Sequence, residues 1–304
     1  MSWRLWVLTG PTASGKSALA IDLAEAAGAE IVSMDSMAVY RHMEIGTAKP
    51  SHQERTRVRH HLIDVVEPNE EFDTARWCAM TEALIAAARA AGRPLLVVGG
   101  TPLYLMALLK GLVATPPADP QLRAQLAARF AQDPAGLFAE LAAVDPVAAS
   151  RIHRNDEKRI VRALEVFQLT GRPASEQRAH FDQDGFRHDA RVLCVQRSRD
   201  DLHERVRRRT KAMLEAGLLE ETRAIRDRIG FSSTARLAIG YAECLRHLDV
   251  PFKDEEELRN RIRRSTHGLI RRQITWFRRI RGIDNLAPTA TAAEALARLR
   301  AEPT

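Results

Sequence analysis

The sequence predicts an α/β fold: a parallel sheet flanked by helices, with an all-helical insertion. Three observations carry this. Short apolar runs alternate with amphipathic helical stretches through residues 3–114. A glycine-rich turn, GPTASGKS at 10–17, joins the first run to the first helix. From 116 to 188 the pattern becomes purely helical, and a strand-like run, RVLCVQ at 191–196, then resumes.

Taken in order, residues 3–8 read as a short buried strand, and 16–27 as a helix of apolar period 3.6 that stops at Gly28. Strand, glycine turn and helix are the context in which G-x-x-x-x-G-K-[ST] forms a phosphate-binding loop, so the core is expected to be P-loop NTPase-like. A second strand spans 29–33 and a third 61–66, closed by Pro68. A helix over 74–91 ends before Gly92, and the apolar run 95–98 leads into Gly99-Gly100-Thr101. These segments and 189–304 form one core, with long helices over 200–228 and 255–281 and a short one after Pro288. The insertion, 116–188, forms a second, helical domain.

Chemistry concentrates at three places. In the loop, backbone N–H groups and the positive end of the next helix favour phosphate oxygens. Gly10, Pro11, Thr12, Ala13, Ser14, Gly15, Lys16 and Ser17 therefore form the candidate phosphate site. Lys16 adds a full charge, and Ser17 is placed to hold a phosphate-bridging Mg²⁺. Most loops of this pattern bind ATP or GTP. Asp35 ends the second strand, where it can hold Mg²⁺, accept a proton from a nucleophile, or cap the segment after it. The residues alone leave these open. Finally, LLVVGGT ends in two glycines and a hydroxyl where such a strand often ends in an acid. Glycines permit close approach of a ligand to the backbone, and Thr101 suits a nucleobase better than a metal. A tight strand-to-helix turn is the plainer alternative.

Net charge is +7, distributed as −1 over 1–114, −1 over 115–190 and +9 over 191–304. Residues 259–282 hold nine arginines and no acid, and Arg151, Arg154, Lys158, Arg159 and Arg162 recur at helical spacing. A polyanionic partner and a merely solvated basic face both fit this pattern. Trp276 and Phe277 read as core residues before stacking platforms. Cys78, Cys194 and Cys244 make no metal-spaced pair, and no apolar run approaches a membrane span. With nine residues before the loop and no room for a secretory signal, the expected location is the cytoplasm.

Several segments together resemble the tRNA dimethylallyltransferases, or isopentenyl-tRNA transferases. They are GPTASGKSALA (10–20), DSMAVYRHMEIGTAKP (35–50), HHLIDVVEPNEEF (60–72), VVGGTPLYLMALLKG (97–111), NDEKRIVRALEVFQLTGRPAS (155–175), RLAIGY (236–241) and RRQITWFRR (271–279), in family order over nearly the whole chain. The resemblance implies that the loop and Mg²⁺ hold the diphosphate of dimethylallyl diphosphate as a leaving group. It implies transfer of the five-carbon unit to N6 of adenosine 37, beside the tRNA anticodon. Asp35 would be base or orienting acceptor, Thr101 a contact to the base, and Arg236, with Lys16, a support for the diphosphate. Ser36, Met37 and Ala38 would join Asp35 and Thr101 in contacting the tRNA anticodon stem-loop, together with Arg123, Lys158, Arg159, Ile160, Val161 and Arg162. A monomer, with no membrane partner, is expected. Ala38 stands where many relatives carry Gln, and Ala242 follows Tyr241 where Arg or Lys is usual, leaving local contacts open at both. The rival enzyme, a P-loop kinase of a nucleoside or small metabolite, explains the loop and Asp35 but neither GGTPLY nor the cationic helix.

Overall fold

The computed structural model describes residues 3–112, 116, 118–176 and 185–301; Thr115 and Pro117 of the turn before the insertion lie outside them. In chain order the elements are β1 (Leu5–Thr9), α1 (Lys16–Ala27), β2 (Glu30–Ser33), α2 (His52–Arg57), β3 (His60–His61), α3 (Thr74–Ala90), β4 (Leu95–Gly99) and α4 (Pro102–Lys110). Four helices follow: α5 (Pro120–Gln132), α6 (Pro134–Val144), α7 (Pro146–Arg151) and α8 (Glu157–Thr170). The chain continues through β5 (Ala190–Val195), α9 (Arg199–Glu215), α10 (Leu218–Arg228), a 3-10 turn at Ala235–Leu237, α11 (Tyr241–Asp249), α12 (Glu255–Phe277), β6 (Ile283–Leu286) and α13 (Ala292–Arg300).

The six strands form one parallel sheet in the order β3-β2-β4-β1-β5-β6. Every residue of β1 and β4 is buried, which is why both read as unbroken apolar runs and not as alternating ones. Ile21, Leu23 and Ala24 of α1 pack with Ile31, Leu96, Leu193, Leu286 and Leu299 into one core. In a parallel sheet the carboxyl ends of neighbouring strands open onto a common edge, so the loops after β1, β2 and β4 meet there.

Two compact units result: the chain up to Leu109 together with the chain from Phe186, and the stretch Lys110–Gly185. In the second, each helix starts at an aspartate, Asp119, Asp133, Asp145 or Asp156, that accepts a backbone N–H of its first turn. Proline occupies the first position of three of them, where its missing N–H costs nothing. Leu126, Leu137, Leu141, Ile160 and Leu164 form its core.

Three elements differ from the sequence expectation. The strand over 61–66 is cut to two residues, because Leu62 and Asp64 take φ of 60° and 57°; Val66 keeps only an isolated bridge to Tyr40. The helical run 200–228 is two helices, divided at Gly217 with φ 94°. After Phe277 the chain leaves the helix and adds β6, a short strand with two exposed residues that carries little apolar signal.

Candidate active site

The loop after β1 is held open by backbone conformations that side chains resist. Gly10 has φ 151° and Gly15 φ 91°. A Cβ on Gly10 would lie 3.0 Å from both Ser14 Oγ and the Val195 carbonyl. Gly15 leads into α1 without any side-chain cap, so the first N–H groups of that helix face outward unpartnered by a cap. Within the loop the buried Ser14 hydroxyl also lacks a partner.

Cations surround this turn. Lys16 Nζ lies 3.4 Å from the Pro11 carbonyl, and three arginines reach in from the segment after β5. Arg197 donates to the Ser14 carbonyl at 2.6 Å, Arg205 to the Ala13 carbonyl at 2.8 Å, and Arg209 reaches the Thr12 hydroxyl at 3.5 Å. Arg197 is neutralised by Asp201. Lys16, Arg205 and Arg209 form no ion pair among the described residues. Burial lowers the Lys16 ammonium to about 8, against the pull of Asp35 and aided by the charge of Arg209. Burial likewise lowers the Arg209 guanidinium, with Asp35 again opposing. A group of uncompensated positive charges at a bare helix N-terminus is an anion site.

Asp35 stands across from these cations. Its Oδ1 accepts N–H bonds from Met37 at 2.8 Å and Ala38 at 3.3 Å, which fixes the carboxylate and shapes the turn. It therefore caps its own loop and begins no helix. Oδ2 makes no hydrogen bond among the described residues, leaving one oxygen to accept a proton. The Thr101 hydroxyl accepts from the Ser36 N–H at 3.2 Å, joining the turn after β4 to the turn after β2. The structure thus brings Lys16, Asp35, Ser36 and Thr101 into one site. The glycines beside Thr101 answer at least to the protein's own packing. A Cβ on Gly99 would lie 2.0 Å from the Met34 carbonyl, and one on Gly100 2.7 Å from Gln273 Nε2.

The DSMAVYRHMEIGTAKP and RLAIGY segments interlock. A Cβ on Gly46 would lie 2.3 Å from the Tyr241 ring, whose hydroxyl accepts the Gly46 N–H at 3.1 Å and donates to Glu221. Lys49, 1% exposed, pairs with Asp64 at 2.5 Å and donates to the Tyr40 carbonyl at 2.6 Å. These contacts brace the wall that carries Asp35. Ala38 is buried there.

Other expected residues are placed differently. Arg236 is exposed on the 3-10 turn, and its guanidinium makes no hydrogen bond or ion pair among the described residues. In the helical unit, Arg123 and Arg162 bind the same carboxylate, Glu165, at 2.9 and 2.5 Å. Glu165 is fully buried and also accepts the Asp119 N–H. Lys158 and Arg159 are exposed, whereas Ile160 and Val161 are 0% and 6% exposed. The side chains of these two fill the core of their unit, correcting their expected place among RNA-contacting groups. Of the aromatic pair, Phe277 is core as expected, but Trp276 is 40% exposed. Arg205, Arg209, Gln273 and Glu165 were not legible in advance; the spacing of the two arginines by four, on the loop-facing side of α9, was the available signal.

Known proteins carry the same pattern. Residues 38–280 match the family model described as IPP transferase, and 3–72 one described as isopentenyl transferase. A tRNA dimethylallyltransferase of Anaeromyxobacter dehalogenans (strain 2CP-C) is 48% identical over 298 residues, covering 97% of this chain and 98% of the relative. One from Geobacter metallireducens is 46% identical, covering 91% and 90%. Among solved structures, the tRNA isopentenylpyrophosphate transferase of Bacillus halodurans has a TM-score of 0.71 at 32% identity, covering 97% of this chain and 93% of that one. A eukaryotic dimethylallyltransferase acting on tRNA reaches a TM-score of 0.78 at 28% identity, covering 95% and 74%. The chain belongs to the IPP transferase family of tRNA dimethylallyltransferases.

Proposed function

We propose that the protein transfers the dimethylallyl group of dimethylallyl diphosphate to N6 of adenosine 37 in the tRNA anticodon stem-loop, releasing diphosphate. The observation that carries this is the set of unneutralised cations, Lys16, Arg205 and Arg209, facing a carboxylate with one free oxygen. A phosphoryl-transfer site would show cations and a base of the same kind; membership of the IPP transferase family is what favours prenyl transfer here.

In the reaction the N6–carbon bond forms as the carbon–oxygen bond breaks, and the bonding pair departs on the diphosphate. Adenine N6 is a weak nucleophile because its lone pair is delocalised into the ring. Asp35 takes the proton as that pair is committed to carbon. Lys16, Arg205, Arg209 and the N–H groups that open α1 stabilise the charge growing on the leaving oxygen. Thr101 meets the edge of the extruded base, whose unstacking costs less in a single-stranded loop than in a duplex. Lys158 and Arg159 engage the RNA backbone.

Mg²⁺ fits the donor set. Ser17 is exposed in the first turn of α1, and no group of three or more His, Cys, Asp and Glu among the described residues could hold a metal. Mg²⁺ takes few protein ligands and completes its shell from phosphates and water. Ser17 would hold it, and when bound it supplies further positive charge to the leaving group. One chain supplies every group named, which supports action as a monomer. No helix among the described residues is long and apolar enough to cross a membrane, and we place the reaction in the cytoplasm with its RNA.

The test is transfer to unmodified tRNA from dimethylallyl diphosphate, with the modified nucleotide located by mass. Wild type is expected to add one five-carbon unit, and Asp35→Ala to lose roughly 10²–10⁴ in rate while still binding donor. ATP consumption without prenylation would sink the reading.

A further inference from the structure

Gln273 sits on α12 among apolar neighbours of the same face, Ile270 and Phe277, and is 4% exposed. Its carboxamide spans two turns of the site. Oε1 accepts the Thr12 N–H at 2.9 Å, and Nε2 donates to the Gly100 carbonyl at 2.7 Å. Thr12 belongs to the loop around the leaving group. Gly100 immediately precedes Thr101, on the acceptor side.

The chemistry of the pair selects this side chain. One N–H and one carbonyl must be met together, and a primary amide offers an acceptor and a donor side by side without carrying charge. A carboxylate would set oxygen against the Gly100 oxygen, and an apolar chain would leave both backbone groups unpaired. Burying an amide here is costly unless both ends are satisfied, and they are. Gly100 makes room for it: besides the contact with Nε2, a Cβ there would lie 3.1 Å from the Gly10 carbonyl and 3.4 Å from Lys16 Nζ. At the strand ends, the Thr9 hydroxyl already ties β1 to the Gly99 carbonyl at 2.8 Å. Gln273 ties the two turns beyond that point, where the sheet no longer fixes them.

We propose that Gln273 is a positioning residue that sets the spacing between the diphosphate loop and the acceptor-side turn. It touches no reacting atom. Displacement at carbon demands that leaving oxygen, carbon and N6 lie in line, so the separation of the two turns fixes how well they align. This inference rests on reading the site as a prenyl-transfer site.

The experiment compares wild type with Gln273→Met, which keeps the volume and removes both hydrogen bonds. Single-turnover transfer is measured with donor and tRNA saturating, alongside donor affinity, tRNA affinity and thermal stability. The expected result is a rate loss on the order of 100-fold, the cost of an ångström-scale misalignment, with both affinities nearly unchanged. A rate at saturation close to wild type, or a loss traced wholly to weaker donor binding, overturns the proposal. If Gln273→Met does not fold, Gln273→Glu decides: it keeps an acceptor for the Thr12 N–H, sets an oxygen against the Gly100 carbonyl, and is held to the same two outcomes. Wild type is assayed first. Its failure to prenylate tRNA would defeat the functional reading itself, a result distinct from an active wild type with an equally active Gln273→Met.

Discussion

Two groups of basic side chains in this protein differ in what balances their charge. In the helical unit Arg123 and Arg162 share the buried carboxylate of Glu165, while Lys158 and Arg159 stand in solvent. At the phosphate loop Lys16, Arg205 and Arg209 crowd together without an acid in contact, and burial brings Lys16 down to about 8. Arg123 and Arg162 are neutralised within the fold. The second group is held at an electrostatic cost that a bound anion would relieve. Counting arginines does not separate the two cases; the position of the nearest carboxylate does.

The contrast breaks most sharply at Arg209. Arg209→Ala is expected to weaken donor binding roughly 10- to 100-fold, the worth of one charge-assisted hydrogen bond. Calorimetric titration with dimethylallyl diphosphate measures it, and an unchanged affinity would make Arg209 a packing residue. Titration of pH sharpens the same point. Free protein loses the Lys16 proton near pH 8, and a bound diphosphate retains it. Donor affinity should therefore fall by up to about tenfold per pH unit above that value, with proton uptake on binding. Lys16→Ala should flatten the profile; a flat profile in wild type would remove Lys16 from the cradle.

Smaller effects are expected in the helical unit, and of a different kind. Glu165→Ala should cost about 1–3 kcal/mol of stability, since it strands the Asp119 N–H and two guanidinium groups, one of them nearly half exposed. Lys158→Ala with Arg159→Ala should stay within about 0.5 kcal/mol of wild type yet lower the salt slope of tRNA binding by about 1–2. Denaturant melts and binding titrations at several salt concentrations test both. A double variant that loses stability but keeps its slope would show that the exposed pair belongs to the fold and not to RNA.

Much of the core was legible because its signals are local. The apolar run of β1, the glycines at 10 and 15 and the stop at Gly28 fix strand, loop and helix within 24 residues of one another. The run at 61–66 misled because Leu62 and Asp64 turn the backbone to positive φ, which hydropathy does not report. Asp35 and Thr101 could be placed at one sheet edge in advance because each follows a strand that opens there. Arg205, Arg209 and Gln273 could not be, because their contacts lie 192, 197 and 261 residues away in the chain. On α9 those arginines are interleaved with solvated ones, Arg207 and Arg208, which pair with Glu204. The packing reason for the two glycines could not be read in advance: Gly99 and Gly100 accommodate Met34 and Gln273, distant in the chain.

The sheet order has a consequence for synthesis. β1 lies between β4 and β5, and the whole Lys110–Gly185 unit is translated between those two strands. On the ribosome, one edge of β1 waits without its neighbour while that unit, contiguous in sequence, is free to fold by itself. The arginines and the glutamine that contact the loop emerge later still, so a nascent chain can own its phosphate-loop motif long before the side chains around it are in place.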